Sequence, residues 1–174
     1  PIKKNYFSEF VSQNEINNIE QIVNSTNLEH LKDFKYNEIN TGEEALAGAL
    51  RYFGKEKIDE EKFKLQILKK FLYSALKTQI SFQNLVNANN YDVVVYSHGI
   101  YVPHGIINQI LKKKNIRSVV YIPSYRKNTF IFSHNDTYHK TMISEPNEKW
   151  VTLNLDSKKR SLIKGYLESR KTGE

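Results

Sequence analysis

The sequence predicts an α/β domain of Rossmann-like type, a parallel sheet with flanking helices, and three observations carry that reading. Up to about residue 90 the apolar residues recur at helical spacing, but Tyr91-Asp-Val-Val-Val-Tyr96 is short and almost continuously apolar. A second run of the same kind, Arg117-Ser-Val-Val-Tyr-Ile122, follows after one intervening helical segment. That segment, Pro103 to Lys114, turns Ile106, Ile107, Ile110 and Leu111 to one side. A strand–helix–strand unit of this length pairs its strands in parallel with a right-handed crossover, and its near-continuous apolar strands are expected to be buried on both faces.

The remaining elements follow in chain order. Ser8 to Asn24 reads as a first helix, with Phe10, Ile16, Ile19 and Val23 on one face. Thr41-Gly-Glu-Glu44 has the form of a capping box, in which Thr41 caps the helix and Glu44 reaches back. Leu46, Ala49, Leu50 and Phe53 continue that helix, and Gly54 is placed to stop it. Asp59 is expected to cap the next helix, with Glu60 and Glu61 in its first turn, where the dipole favours negative charge. Its stripe of Leu65, Leu68, Leu72, Leu76, Phe82 and Leu85 implies a continuous helix to about Asn87, roughly 40 Å long at 1.5 Å per residue. Thr129 to Ser133 is a candidate third strand. Its link to the second is too short for a parallel crossover, so it should run antiparallel or lie off the sheet. Asp156 to Arg170 reads as a last helix, capped by Asp156 or Ser157, with Leu162, Ile163, Tyr166 and Leu167 buried. Trp150 reads as a packing anchor.

A chain of 174 residues fits one domain, so residues 1–174 are expected to form a single Rossmann-like body. It opens on Pro1 and its only methionine is Met142, which is expected of a piece cut from a longer protein. The 39% hydrophobic share is modest, and 12% aromatic residues supply burial through Phe and Tyr. No window reaches the roughly 18 apolar residues that would span a bilayer, and no signal peptide is visible. Without cysteine there is neither a disulfide framework nor a thiolate metal site, and a cytoplasmic setting is expected. The net charge of +7 points to anionic partners, and the basic surface suits docking on an anionic inner membrane face. Part of that charge, Lys112-Lys113-Lys114, sits where a helix C-terminus favours cations. Most lysines lie on helix faces away from the aromatic loops, which argues against nucleic acid as the partner.

In open α/β sheets ligands bind beyond the carboxyl ends of the strands. Two loops leave strands there, Ser97-His-Gly-Ile-Tyr-Val-Pro-His-Gly105 and Pro123-Ser-Tyr-Arg-Lys-Asn128. Gly99 and Gly105 allow close backbone approach, and the helix that follows offers free N–H groups to an anion. His98 leaves a strand directly into the expected crevice, where an imidazole serves as general base near neutral pH. Four of the five histidines, His98, His104, His134 and His139, fall close together among Tyr101, Tyr125, Asp136 and Tyr138. Aromatic faces beside His, Asp and Arg suit a sugar, and Arg126 and Lys127 suit a phosphate. His134 and His139 are five apart, which does not match the spacing of a helical zinc pair, so no metal is expected. No G-x-S-x-G elbow is present for a serine nucleophile.

The two loop motifs, the second extended as Tyr125-Arg-Lys-Asn-Thr-Phe-Ile-Phe-Ser-His134-Asn-Asp-Thr-Tyr-His139, resemble those of bacterial capsular and surface-polysaccharide glycosyltransferases. Gly42-Glu43, the Ala-Gly-Ala-Leu-Arg51-Tyr-Phe stretch and Tyr166-Leu-Glu-Ser-Arg170-Lys-Thr-Gly173 extend the resemblance in order from Gly42 to Gly173. It implies the N-terminal, acceptor-side half of a GT-B architecture, with the nucleotide-sugar donor held mainly by an absent C-terminal half. The fragment alone would then be inactive. The implied reaction transfers a sugar from that donor to a growing glycan acceptor without an obligatory metal or other cofactor. On this reading His98 is the base, Asp136 and Glu43 are its reserves, and Asp136 alternatively orients an imidazole. Gly99, Tyr101, Gly105, Tyr125, Arg126, Lys127, Thr137, Tyr138 and His139 are assigned to binding. The rival reading is a non-catalytic carbohydrate- or nucleotide-binding module built on the same loops.

Overall fold

The computed structural model of the chain describes residues 4–124, 127–141 and 147–172. It divides into two compact units, Pro1–Thr141 and Met142–Glu174. The first unit is mixed α/β. After a 3₁₀ turn at Phe7–Phe10 come α1 (Gln13–Ser25), α2 (Thr41–Phe53) and α3 (Lys64–Ala88). Then follow β1 (Val93–Ser97), α4 (His104–Lys113), β2 (Arg117–Pro123), β3 (Phe130–His134) and the short α5 (Tyr138–Thr141).

The expected first helix is broken in two. Val11 is extended, and Ser12 caps α1 through reciprocal bonds: the Glu15 N–H donates to Ser12 Oγ at 3.3 Å, and the Ser12 N–H donates to Glu15 Oε2 at 2.7 Å. α2 ends where Gly54 takes φ +64° and its N–H bonds the last turn, as a C-terminal glycine should. α3 starts later than its acidic segment suggested. It begins at Lys64, after Phe63 in a left-handed conformation, and Asp59 caps nothing but pairs with Lys64 Nζ at 2.9 Å. Its 25 residues bury Leu68, Leu72, Leu76 and Phe82, while Leu65 at the frayed start is exposed. α3 packs against α1, α2 and α4, so it is the spine of the unit.

β1 and β2 pair in parallel, with Val95 opposite Val119 and Tyr96 opposite Val120. β3 joins β2 antiparallel, one of the two arrangements its short link allowed, with Ser133 opposite Val120 and Phe132 opposite Tyr121. The three-stranded order β1-β2-β3 makes the sheet open and mixed. Tyr96, Ser118, Val120 and Ser133 are buried on one face, and α4 packs against β2 with Ile106, Ile107, Ile110 and Leu111 buried. The strands are not buried on both faces. Val95 is 59% exposed, Phe132 is 62% exposed, and Val93 and Phe130 lie on the same open side. Continuous apolarity marked the strands correctly but did not measure their burial.

The second unit holds α6 (Asn147–Val151) and α7 (Ser157–Thr172). Asp156 caps α7, accepting the Lys159 N–H at 2.8 Å. Leu162, Ile163, Tyr166 and Leu167, expected to be buried, are all exposed, and α7 buries no residue. The Trp150 side chain lies outside the described residues. Among those described, no helix is long and apolar enough to cross a membrane.

Candidate functional site

The loop after β1 is the most contorted stretch of the first unit. His98 at φ +63°, Gly99 at φ +73° and Tyr101 at φ +61° all occupy the left-handed region within four residues. Two of the three carry side chains, a conformation that persists only where surrounding bonds hold it. Those bonds are visible. The His98 N–H donates to the Tyr121 carbonyl at 3.2 Å, and its own carbonyl accepts the buried Thr137 hydroxyl at 2.9 Å. Gly99 is tightly enclosed: a Cβ there would stand 3.0 Å from the Thr137 Cβ, on a backbone whose φ of +73° side chains rarely adopt. Thr137, 39 positions further along, therefore clamps the loop rather than facing a ligand.

Three histidines gather at this carboxyl edge. Burial first, and then the nearby His98, push the imidazoles of His104 and His139 below their ordinary value. Both rings are therefore held toward the neutral form. His98 Nδ1 and His139 Nε2 are buried and have no hydrogen-bond partner among the described residues. Tyr138 stacks on His139 with ring centroids 3.9 Å apart, and His104 lies 6.2 Å from the Tyr96 ring. Tyr101 carries the Arg51 guanidinium over its face at 4.9 Å. The combination is a half-buried sheet edge with aromatic faces, imidazole nitrogens unpartnered among the described residues, and the Arg51 cation.

Below it lies a carboxylate that the sequence reading had used as a helix cap. Asn40, not Thr41, occupies the N-cap position of α2. The Thr41 hydroxyl turns inward and donates to Gln79 Oε1 at 2.6 Å, while Gln79 Nε2 donates to the Tyr36 carbonyl at 2.7 Å. Glu44 also points inward. Its Oε1 accepts Gln109 Nε2 at 2.9 Å, and the Gln109 amide is oriented by the Asn40 N–H at 2.9 Å. The Tyr101 N–H donates to the same carboxylate. Burial raises its carboxyl above the ordinary value, the Gln109 bond opposes the rise, and the Glu43 charge adds to it. The Tyr101 N–H and Lys140 also oppose it. Gly105 leaves the space for this: a Cβ there would collide with both Glu44 oxygens. The first turn of α4, expected to receive an anion from outside, thus already has a carboxylate of the chain beside it.

The other expected site residues scatter. Asp136 accepts no hydrogen bond from an imidazole among the described residues; it takes Asn108 Nδ2 at 3.1 Å, the Thr137 N–H at 2.7 Å and Lys112 Nζ. Burial works against its charge, but the bonds from Lys112, Thr137 and Asn108 overcome it and hold the carboxyl below its ordinary value. Asn108 also accepts the Tyr96 hydroxyl at 2.7 Å, and burial pushes that phenol up to about 12. Asp136 thereby ties the β3–α5 turn to α4. Glu43 is exposed on the first turn of α2, and Lys127 is exposed in the turn between β2 and β3. His134 is exposed at the end of β3. Tyr125 and Arg126 lie outside the described residues. Among those described, no group of three or more histidine or carboxylate side chains is arranged to hold a metal ion.

Sequence reasoning missed Glu44 and Gln109 as members of this region. The signal that was available is Gly105 itself, a glycine in a helical first turn where a helix former would cost less. Such a glycine marks a close approach by something. In comparisons with known proteins, the chain matches no family model, no curated sequence and no solved structure.

Proposed function

We propose that this chain forms the acceptor side of a nucleotide-sugar glycosyltransferase acting on a surface glycan, with His98 as the base. The observation that carries the reading is the state of His98. It sits at the carboxyl end of β1 in a strained conformation, with one ring nitrogen unpartnered among the described residues and two further imidazoles beside it. Strain and an unsatisfied polar atom at a strand's carboxyl end are disfavoured in a purely structural residue and tolerated where function needs them. The motif resemblance in the β1–α4 and β2–β3 segments supports the same class.

On this reading an acceptor sugar lies against Tyr101 and Tyr138, its hydroxyls bonded by His104 and His139. The His98 imidazole accepts the proton of the attacking hydroxyl. The oxygen forms a bond to the anomeric carbon of the donor as the bond from that carbon to the diphosphate breaks. The leaving nucleoside diphosphate takes the electron pair. Lys127, exposed in the turn between β2 and β3, supplies positive charge toward that leaving group.

Release of nucleoside diphosphate by the full-length protein, assayed over a panel of nucleotide sugars with His98→Ala beside wild type, tests this. The expected result is release that falls by roughly 10²–10⁴ in the variant, with acceptor affinity nearly unchanged. Release equal in both proteins removes His98 as the base. Glycan binding without release from any donor overturns the transferase reading in favour of a binding module.

A further inference from the structure

α7 carries an exposed apolar stripe and an excess of cations on the same short helix. Leu162 and Leu167 are 57% and 54% exposed, with Ile163 and Tyr166 between them, and α7 buries none of its residues. At 3.6 residues per turn these four side chains share one arc of the helix. Lys158, Lys159, Arg160, Lys164, Arg170 and Lys171 stand on the same 16 residues against the single carboxylate of Glu168. Arg160, Lys164 and Lys171 project along one border of the apolar arc, while Lys159 and Arg170 flank it near the two ends of the helix. Pairing removes little of this charge. Lys164 approaches Glu168 at 3.9 Å and Lys159 approaches Asp156 at 3.8 Å, both on the exposed surface. Val151, 84% exposed, and Leu153, 55% exposed, add apolar area in the same unit.

We propose that α7 is an interfacial helix that lays its Leu162–Leu167 stripe into an anionic phospholipid surface, with the bordering lysines and arginines on the headgroups. Charge complementarity selects the occupant. A stripe of aliphatic side chains needs an apolar phase, and cations beside it need anions at the edge of that phase. A bilayer rich in anionic lipid supplies both at the depth an amphipathic helix reaches. A nucleic acid would meet the cations and leave Leu162, Ile163 and Leu167 in water. A second copy of the same helix would bury the stripe but bring like charges together. Long Lys159 and Arg170 side chains at the arc's ends extend from the apolar layer toward the headgroups.

The test is flotation of the full chain with vesicles of phosphatidylcholine alone and of equal parts phosphatidylcholine and phosphatidylglycerol. The expected result is flotation with the anionic vesicles only, abolished in high salt, since each cation near such a surface is worth roughly fivefold in partitioning. Lys164→Glu with Lys171→Glu, which leaves the stripe intact, should lower partitioning more than tenfold. Leu162→Asp with Leu167→Asp, which leaves the charge on the basic side chains intact, should abolish it. Both double variants alter exposed positions, and unchanged far-ultraviolet circular dichroism establishes that they fold. Absence of flotation overturns the proposal, as does flotation that neither variant changes. A concentration-dependent dimer without lipid affinity, or salt-sensitive binding of single-stranded RNA without lipid affinity, assigns the stripe to another occupant and overturns it equally.

Discussion

A Cβ on Gly105 would stand 2.0–2.6 Å from the carboxylate of Glu44, so a side chain there requires that carboxylate to move. Glu44 stands on α2 and Gly105 on the first turn of α4, 61 positions apart, so this contact fastens the helix that precedes the sheet to the helix that crosses it. The contact can be tested by a double-mutant cycle. Gly105→Ala should cost about 1–3 kcal/mol, because the new methyl group displaces a hydrogen-bonded carboxylate. Glu44→Ala should cost stability too, since it strands the Gln109 amide. Combined, the two should cost less than their sum by about 0.5–3 kcal/mol, because removing the carboxylate makes room for the methyl. Urea unfolding of the four proteins measures this, and strict additivity would show that Glu44 yields its place freely.

The inward turn of Thr41 separates two roles that its position allows. As a helix cap it would accept Asp in its place with little loss. As the buried partner of Gln79 Oε1 it would not. Thr41→Asp and Thr41→Val should each destabilise the chain by about 1–3 kcal/mol, since both leave a buried amide oxygen without its donor. Thr41→Ser, which keeps the hydroxyl, should cost less than about 1.5 kcal/mol. Equal midpoints for the Asp and Ser variants would restore the capping role.

Strain at His98 predicts a separation of stability from activity. Asn tolerates a left-handed backbone better than His does, so His98→Asn should be as stable as wild type or more so by up to about 1 kcal/mol. The same variant should lose turnover along with His98→Ala. Thermal melting checks the first half and nucleoside-diphosphate release the second. A loss of more than about 1 kcal/mol would show that the ring is needed for packing.

The two depressed histidines set an acid-side dependence of stability. His104 and His139 have folded values below 6.5, so the unfolded chain binds their protons first as the pH falls. Their contribution is present in full above pH 6.5 and is lost as the pH drops below it toward the folded values. Glu44 has the opposite sign. Its folded value is raised above 4.5, so its contribution is present below pH 4.5 and is lost as the pH rises through the folded value. Urea midpoints followed down to about pH 5 should fall in wild type and fall less in His104→Asn with His139→Asn. Parallel curves would mean that neither ring is held neutral by the fold.

Much of the first unit was legible in the sequence, because it depended on local chemistry. Gly54 stops α2 since only the left-handed region suits that cap, and the isoleucines of α4 face inward since their spacing leaves no other side apolar. A link too short to cross over ruled out a parallel β3, and the structure chose the antiparallel pairing over a place off the sheet. The position of His98 followed from strand order alone. What only the tertiary structure decided are pairings between distant residues. Thr41 and Glu44 have the spacing of a capping box, yet Gln79 and Gln109 offer them buried partners worth more than an exposed cap. His139 joins His98, and Asp136 leaves it for α4, because the β3–α5 turn folds back on a register that no local pattern encodes. Burial itself was decided at the same level. The apolar runs of β1, β3 and α7 guaranteed strands and a helix, but whether a neighbour covers a given face depends on what the chain brings against it. For Val95, Phe132 and Leu162 it brings nothing that removes them from water.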